Sequence, residues 1–148
     1  MNKGHKDLRV WQQAMTLAET VYQATKTFPS DERFGLTSQM RRAAVSVPSN
    51  IAEGRGRGTD AEFIRFCRIA YGSLMELETQ AELAHRLGFL PNGSLAPIMN
   101  SCIEVGRMLN ALRSSLVAGH RSSVVSPRLP DRQPITDDRQ PTTDDRQP

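Results

Sequence analysis

Six arginines stand between positions 41 and 68 of this chain: Arg41, Arg42, Arg55, Arg57, Arg65 and Arg68, with only Glu53, Asp60 and Glu62 to offset them. A guanidinium stays charged at physiological pH and presents paired N–H donors that match phosphate oxygens. Such a concentration permits a polyanionic partner without demanding one. Two of the arginines sit in Gly54-Arg55-Gly56-Arg57-Gly58. Glycines let backbone amides approach an anion closely, and the arginines add charge. The segment has neither the G-x-G-x-x-G nor the P-loop spacing, and no strand pattern precedes it. A solvated turn fits it as well as a phosphate contact does. The formal net charge of +3 is unevenly placed. Five Arg and five Asp cancel from Arg121 onward, so residues 1–120 hold the whole excess, fourteen Lys and Arg against eleven Asp and Glu.

Signals for catalysis are poor. The chain has no G-x-S-x-G, no H-E-x-x-H and no Cys/His pair at a readable spacing. Arg113 followed by His120 loosely resembles the R-x(4–6)-H motif of helical HEPN ribonucleases, a two-residue match with a variable gap that chance produces often. We read it as coincidence and expect no enzymatic activity. Cys67 and Cys102 each fall in an apolar helical stripe, where a free thiol serves as a small core residue. His5, His85 and His120 are scattered without metal-ligand spacing, so neither a metal nor another cofactor is expected.

Helices must position these residues. Four segments repeat apolar residues every three or four positions, and none alternates. The first runs from about Asp7, a reasonable N-cap, to Phe28 before Pro29, with Leu8, Trp11, Ala14, Met15, Ala18, Tyr22 and Thr25 on one face. The second starts between Ser30 and Thr37 and ends at Gly54, burying Leu36, Met40, Ala43, Ala44, Val47 and Ile51, with a kink at Pro48. The third opens on a capping box, Thr59 to Glu62, and buries Phe63, Phe66, Cys67, Ala70, Leu74, Leu77, Ala81 and Ala84 until Gly88. The fourth starts near Ser94, with Pro97 in its first turn, and carries Ile98, Cys102, Val105, Leu109, Leu112 and Leu116 to a stop at Gly119. Short links between long amphipathic helices force antiparallel neighbours. The expected fold is all-α: an antiparallel up-down-up-down four-helix bundle over residues 1–118.

Residues 119–148 read differently. Three DRQP repeats close the chain, each with a proline and almost no apolar residue, so heptad packing fails. The expectation there is a disordered low-complexity tail. No apolar run approaches the roughly 20 residues that span a bilayer, and the N-terminus lacks the apolar stretch of a signal peptide. A cytoplasmic protein with no membrane partner is expected.

Two helices carry a second apolar stripe beside the first: Val45, Pro48 and Ala52 on the second helix, and Ile64, Tyr71 and Met75 on the third. Either these widen the bundle's own core, or they meet other subunits. By helical phase Arg42, Ser49 and Glu53 point outward, with Ser46 and Asn50 at the core's edge. These five residues either brace the kinked helix through hydrogen bonds or touch a ligand.

The segment from Gln39 to Gly54, QMRRAAVSVPSNIAEG, resembles the signature of the four helix bundle protein family. That family includes the intervening-sequence proteins of large-subunit ribosomal RNA genes and the accessory variability determinants of diversity-generating retroelements. DLRVWQQAM, FPSDERFGLTSQMRRA and EFIRFCRIAYGSLMELETQAELAHRLGFL agree with it too, so the resemblance covers about residues 6–117. It implies a homopentameric, barrel-like ring with a basic surface, and in the retroelement members a nucleic-acid-binding partner of a reverse transcriptase. Arg41 and Arg42 match the arginine pair of the motif. The expected function is a non-enzymatic, homo-oligomeric accessory protein that binds DNA or RNA without sequence preference through the six arginines. The alternative is a structural oligomer or protein-interaction scaffold whose arginines only solubilise it.

Overall fold

The computed structural model describes residues 4–123. It has four helices, α1 (Arg9–Thr25), α2 (Leu36–Gly56), α3 (Asp60–Arg86) and α4 (Leu95–Ser123), and no strand among the described residues. Short 3-10 turns at His5–Asp7 and Ser30–Glu32 precede α1 and α2. Each helix packs on its neighbours in the chain, and α4 closes back on α1. The pairs α1/α3 and α2/α4 make no such approach, so the helices stand in a square with up-down-up-down order. This is the expected fold. Of the expected tail, residues 124–148 lie outside the described residues.

Local chemistry explains three of the helix ends. The Thr59 hydroxyl accepts the Glu62 amide at 3.3 Å, which caps α3 at its N-terminus. The other end of α3 closes as a Schellman turn. Gly88 takes φ 75°, its amide donates to the His85 carbonyl at 3.0 Å, and the Phe89 amide donates to the Ala84 carbonyl at 2.9 Å. The start of α2 is held by the Glu32 carboxylate, which accepts the Leu36 amide at 2.9 Å. Pro48 lies inside α2, which runs through it.

Three ends differ from expectation. Asp7 belongs to the first 3-10 turn, and Leu8, with extended backbone, precedes α1 without a side-chain cap. Gly54 does not end α2; the helix continues to Gly56, and the left-handed residue is Gly58 at φ 83°. A Cβ built on Gly54 would lie 2.6 Å from the Phe66 Cβ and 3.0 Å from Phe63 Cδ2, so this glycine marks the close approach of α2 to α3. Most of the supposed arginine-glycine linker is therefore helix. Gly119 does not stop α4 either, which runs four residues further to Ser123.

The expected core faces of α2 and α3 are buried at every position. On α4, Ile98, Cys102, Val105 and Leu109 are buried while Leu112 and Leu116 are half-buried. On α1 the face is turned. Val10, Ala14, Leu17, Ala18, Val21 and Ala24 face the core, whereas Met15 and Tyr22 are 37% and 42% exposed. Apolar residues occupy two adjoining faces of α1, and the periodicity does not rank them. At the end of the bundle holding the α1–α2 and α3–α4 connections, Phe28 packs on Phe89 with ring centroids 5.9 Å apart.

Opposite signs are expected for two glycine substitutions inside helices. Alanine gains up to about 1 kcal/mol of helix propensity over glycine. Gly72→Ala should keep that gain, because nothing lies within 4 Å of a Cβ there. Gly54→Ala should lose it to overpacking, which costs about 1–3 kcal/mol. Urea unfolding of both variants measures the contrast, and a stabilised Gly54→Ala protein would overturn the close-approach account.

Both cysteines are free and buried. Burial pushes the Cys67 thiol up to about 11, opposed by the nearby Arg113 guanidinium, and pushes Cys102 up to about 12, aided by the Glu78 carboxylate. The folded state thus holds these protons more tightly than an unfolded chain at the ordinary value of 9.0. Their contribution to stability is complete below about pH 9 and is lost as pH rises through the folded values. Urea stability should decline above that point, and the decline should be smaller in a Cys67→Ala/Cys102→Ala variant. An identical alkaline decline in both proteins would contradict this.

Candidate nucleic-acid interface

Antiparallel order gathers the start of α1, the end of α2, the start of α3 and the end of α4 at one end of the bundle. Lys6, Arg9, Arg55, Arg57, Arg65, Arg68, Arg113 and Arg121 lie there, against Asp7, Glu53, Asp60 and Glu62. The opposite end carries Glu19, Asp31, Glu32, Glu76, Glu78, Glu82 and Glu104, against Lys26, Arg33, Arg41, Arg42, Arg86 and, nearer the middle, Arg107. The described bundle is therefore basic at one end and nearly balanced at the other, with one more carboxylate than cations. The six arginines singled out from the sequence do not form one patch, since Arg41 and Arg42 lie towards the opposite end.

At the basic end Phe66 organises two of them. Its buried ring lies 5.2 Å from the Arg57 guanidinium and 5.5 Å from that of Arg65. Arg57 also pairs with Glu53, and Arg65 with Glu62 at 3.4 Å. Both guanidiniums stay accessible, the side chains being 52% and 65% exposed. Ion pairs this exposed are worth about 0.2–1 kcal/mol, too little to keep a phosphate away. Arg55 is half-buried in the last turn of α2. Arg68 lies between α3 and α4 beside Arg113 and Arg121, two basic residues that the sequence pattern did not bring into the set. Their contribution shows only once the direction of α4 is known.

Arg41 is committed elsewhere. Its Nε donates to the Thr25 hydroxyl at 2.9 Å and its guanidinium lies 4.6 Å from the centroid of the Tyr22 ring, tying α2 to α1. The buried threonine and the ring hold this donor against the protein. Arg42 is exposed beside a polar concavity shared with Ser46, Ser73, Glu76 and Gln80. Ser46 and Ser73 hydrogen-bond across the α2–α3 interface at 2.8 Å, and the Asn50 side-chain amide donates to the Ser46 carbonyl at 2.8 Å. Ser46 and Asn50 therefore brace α2. His120 is exposed two turns beyond the half-buried Arg113.

The apolar stripes separate. Val45, Pro48 and Ala52 join Trp11, Met15 and Tyr22 in a groove of about 890 Å3 between α1 and α2, with Pro48 buried in its floor. On α3, Tyr71 and Met75 pack against the margin of the core, and Ile64 is half-buried. Tyr71 comes close to α4 at Gly106. The two stripes thus lie on opposite sides of the square. No helix of the described residues is long and apolar enough to cross a membrane. No three metal-ligating side chains gather among those residues.

A family model described as 23S rRNA-intervening sequence protein matches residues 6–111. A solved structure from Bacteroides thetaiotaomicron, described as a protein of unknown function from the S23 ribosomal protein family, is similar with a TM-score of 0.65. The two are 23% identical, over 71% of this chain and 95% of that one, and at that identity the likeness speaks for the fold alone. No curated protein matches the sequence. The matched segment takes in the capped start of α3, the Gly54 contact and the buried faces of all four helices: this chain belongs to the 23S rRNA-intervening sequence protein family.

Proposed function

We propose that this protein is a non-enzymatic, homo-oligomeric accessory protein that binds nucleic acid through the basic end of its bundle. One observation carries the reading: all four helices bring arginines to one end, where cations outnumber carboxylates two to one, while most of the carboxylates lie towards the other. A duplex carries one negative charge per roughly 1.7 Å, so such a surface gains affinity by releasing counterions and reads no sequence in doing so. The polarity also orients the approach of the bundle to a polyanion. Chemistry on the nucleic acid would then fall to a partner, and the resemblance to retroelement accessory proteins makes a reverse transcriptase the candidate.

Self-association is part of the proposal. The α1–α2 groove and the α3 stripe lie on opposite sides, so two copies joining one to the other would meet head to tail, the arrangement that closes into a ring. The resemblance favours five subunits. Repeated basic ends would turn modest contacts into useful avidity. The scaffold reading has its own support, because Arg57, Arg65 and Arg41 all find partners within the chain.

Gel-shift titrations at low and physiological salt separate the two readings. The wild-type protein should shift both duplex DNA and structured RNA, with affinity falling steeply as salt rises. An Arg55→Ala/Arg57→Ala variant and an Arg65→Ala/Arg68→Ala variant should each bind with a salt slope shallower by about 2. No shift by wild type at low salt, or equal binding by both variants, leaves the scaffold.

Light scattering at micromolar concentration should give several times the 16.5 kDa chain mass. Val45 is 42% exposed in the single chain, so Val45→Asp should dissociate the assembly and leave the helical circular dichroism unchanged. A monomeric wild-type protein would remove the oligomer from the proposal.

A further inference from the structure

Between the first half of α3 and the last turns of α4 lies a concavity of about 590 Å3 lined by Arg68, Arg113, Ser114, Val117, Ala118 and Arg121. Three arginines line one space, and none of them has an ion pair among the described residues. That distinguishes them from Arg57 and Arg65, which sit beside carboxylates. Like charges brought together repel one another, and an anion placed among them turns that repulsion into attraction. Arg113 is half-buried and close enough to Cys67 to oppose the desolvation that raises its thiol, so its guanidinium works in a less hydrated setting than its exposed neighbours. Arg68 and Arg121 are exposed at the rim.

We infer that this concavity seats one phosphodiester group of the bound nucleic acid, with Arg113 as the fixed donor and Arg68 and Arg121 closing over it from two helices. The inference rests on the proposed function and gives the basic end a particular contact. Planar guanidiniums donating two parallel hydrogen bonds to phosphate oxygens supply the recognition. The Ser114 hydroxyl adds a donor, and the apolar Val117 and Ala118 leave room for the attached sugar. Arg113 and Arg121 lie beyond residue 111, where the family match ends, so the seat combines the shared part of the bundle with the last turns of α4.

The test uses the full chain. Anisotropy titrations of a labelled duplex and a labelled RNA hairpin compare wild type with Arg121→Gln, Arg113→Gln/Arg121→Gln and, at the opposite end, Arg33→Gln. Each arginine removed from the seat should make the plot of log affinity against log salt shallower by about 1, while Arg33→Gln should leave it unchanged. At equal ionic strength, inorganic phosphate should compete with nucleic acid better than chloride does, and the double variant should lose that excess. Arg121 is exposed in the last turns of α4, so Arg121→Gln keeps the test valid if the double variant misfolds by circular dichroism. Wild-type binding with unchanged slopes in both seat variants overturns the seat and leaves the proposed function standing. Inorganic phosphate that raises the melting temperature of wild type, while the variants keep full nucleic-acid affinity, identifies a free-phosphate site and overturns it too. Failure of wild type to bind either nucleic acid at low salt overturns both.

Discussion

The contact of Gly54 with Phe63 and Phe66 holds α2 against α3 at a distance that no side chain at position 54 would permit. A three-residue connection, Arg57–Thr59, then turns the chain, with Gly58 in the left-handed conformation that glycine adopts without strain. Phe66 has two roles in this corner. Its Cβ side meets Gly54, and its ring underlies the guanidiniums of Arg57 and Arg65. The interaction that packs the hairpin therefore also sets the spacing of two exposed charges. Packing and charge display are not separable here.

Elsewhere the helices are joined by polar contacts that lie beside the apolar core. Ser46 and Ser73 link α2 to α3, and Arg41 links α2 to α1 through Thr25, whose own hydroxyl donates to the Val21 carbonyl at 2.8 Å. Buried hydroxyls with satisfied partners specify register better than interchangeable alkyl contacts do. The Arg41 contact also fixes Tyr22 at the rim of the α1–α2 groove. One arginine that the sequence suggests for a ligand thus also shapes the apolar surface.

The helices and most of their buried faces were legible in the sequence because α2 and α3 each carry one dominant stripe that every neighbour confirms. The face of α1 was not, since Leu17 and Val21 compete with Trp11, Met15 and Tyr22, and only the positions of α2 and α4 decide between them. Glycine misled at Gly54 and Gly119 for two reasons. Tertiary contact keeps Gly54 helical against its weak propensity, whereas Gly119 meets nothing within 4 Å and simply remains in a long helix. The arginine cluster was legible as composition. Its geometry was not, because proximity along the chain placed Arg41 with Arg55 and omitted Arg113 and Arg121.

Antiparallel order has a further consequence for the charge at the two ends. Each helix has a partial positive charge at its N-terminus and a partial negative charge at its C-terminus. In an up-down-up-down bundle each end receives two of either kind, so the backbone contributes little net polarity. What remains comes from side chains. Arginines in the first half of α3 and in the second halves of α2 and α4 add only because those halves meet. A parallel arrangement of the same helices would scatter them between opposite ends. The basic end is thus a property of the topology as much as of the composition, and the short turn at Gly58 that enforces antiparallel packing also concentrates the charge.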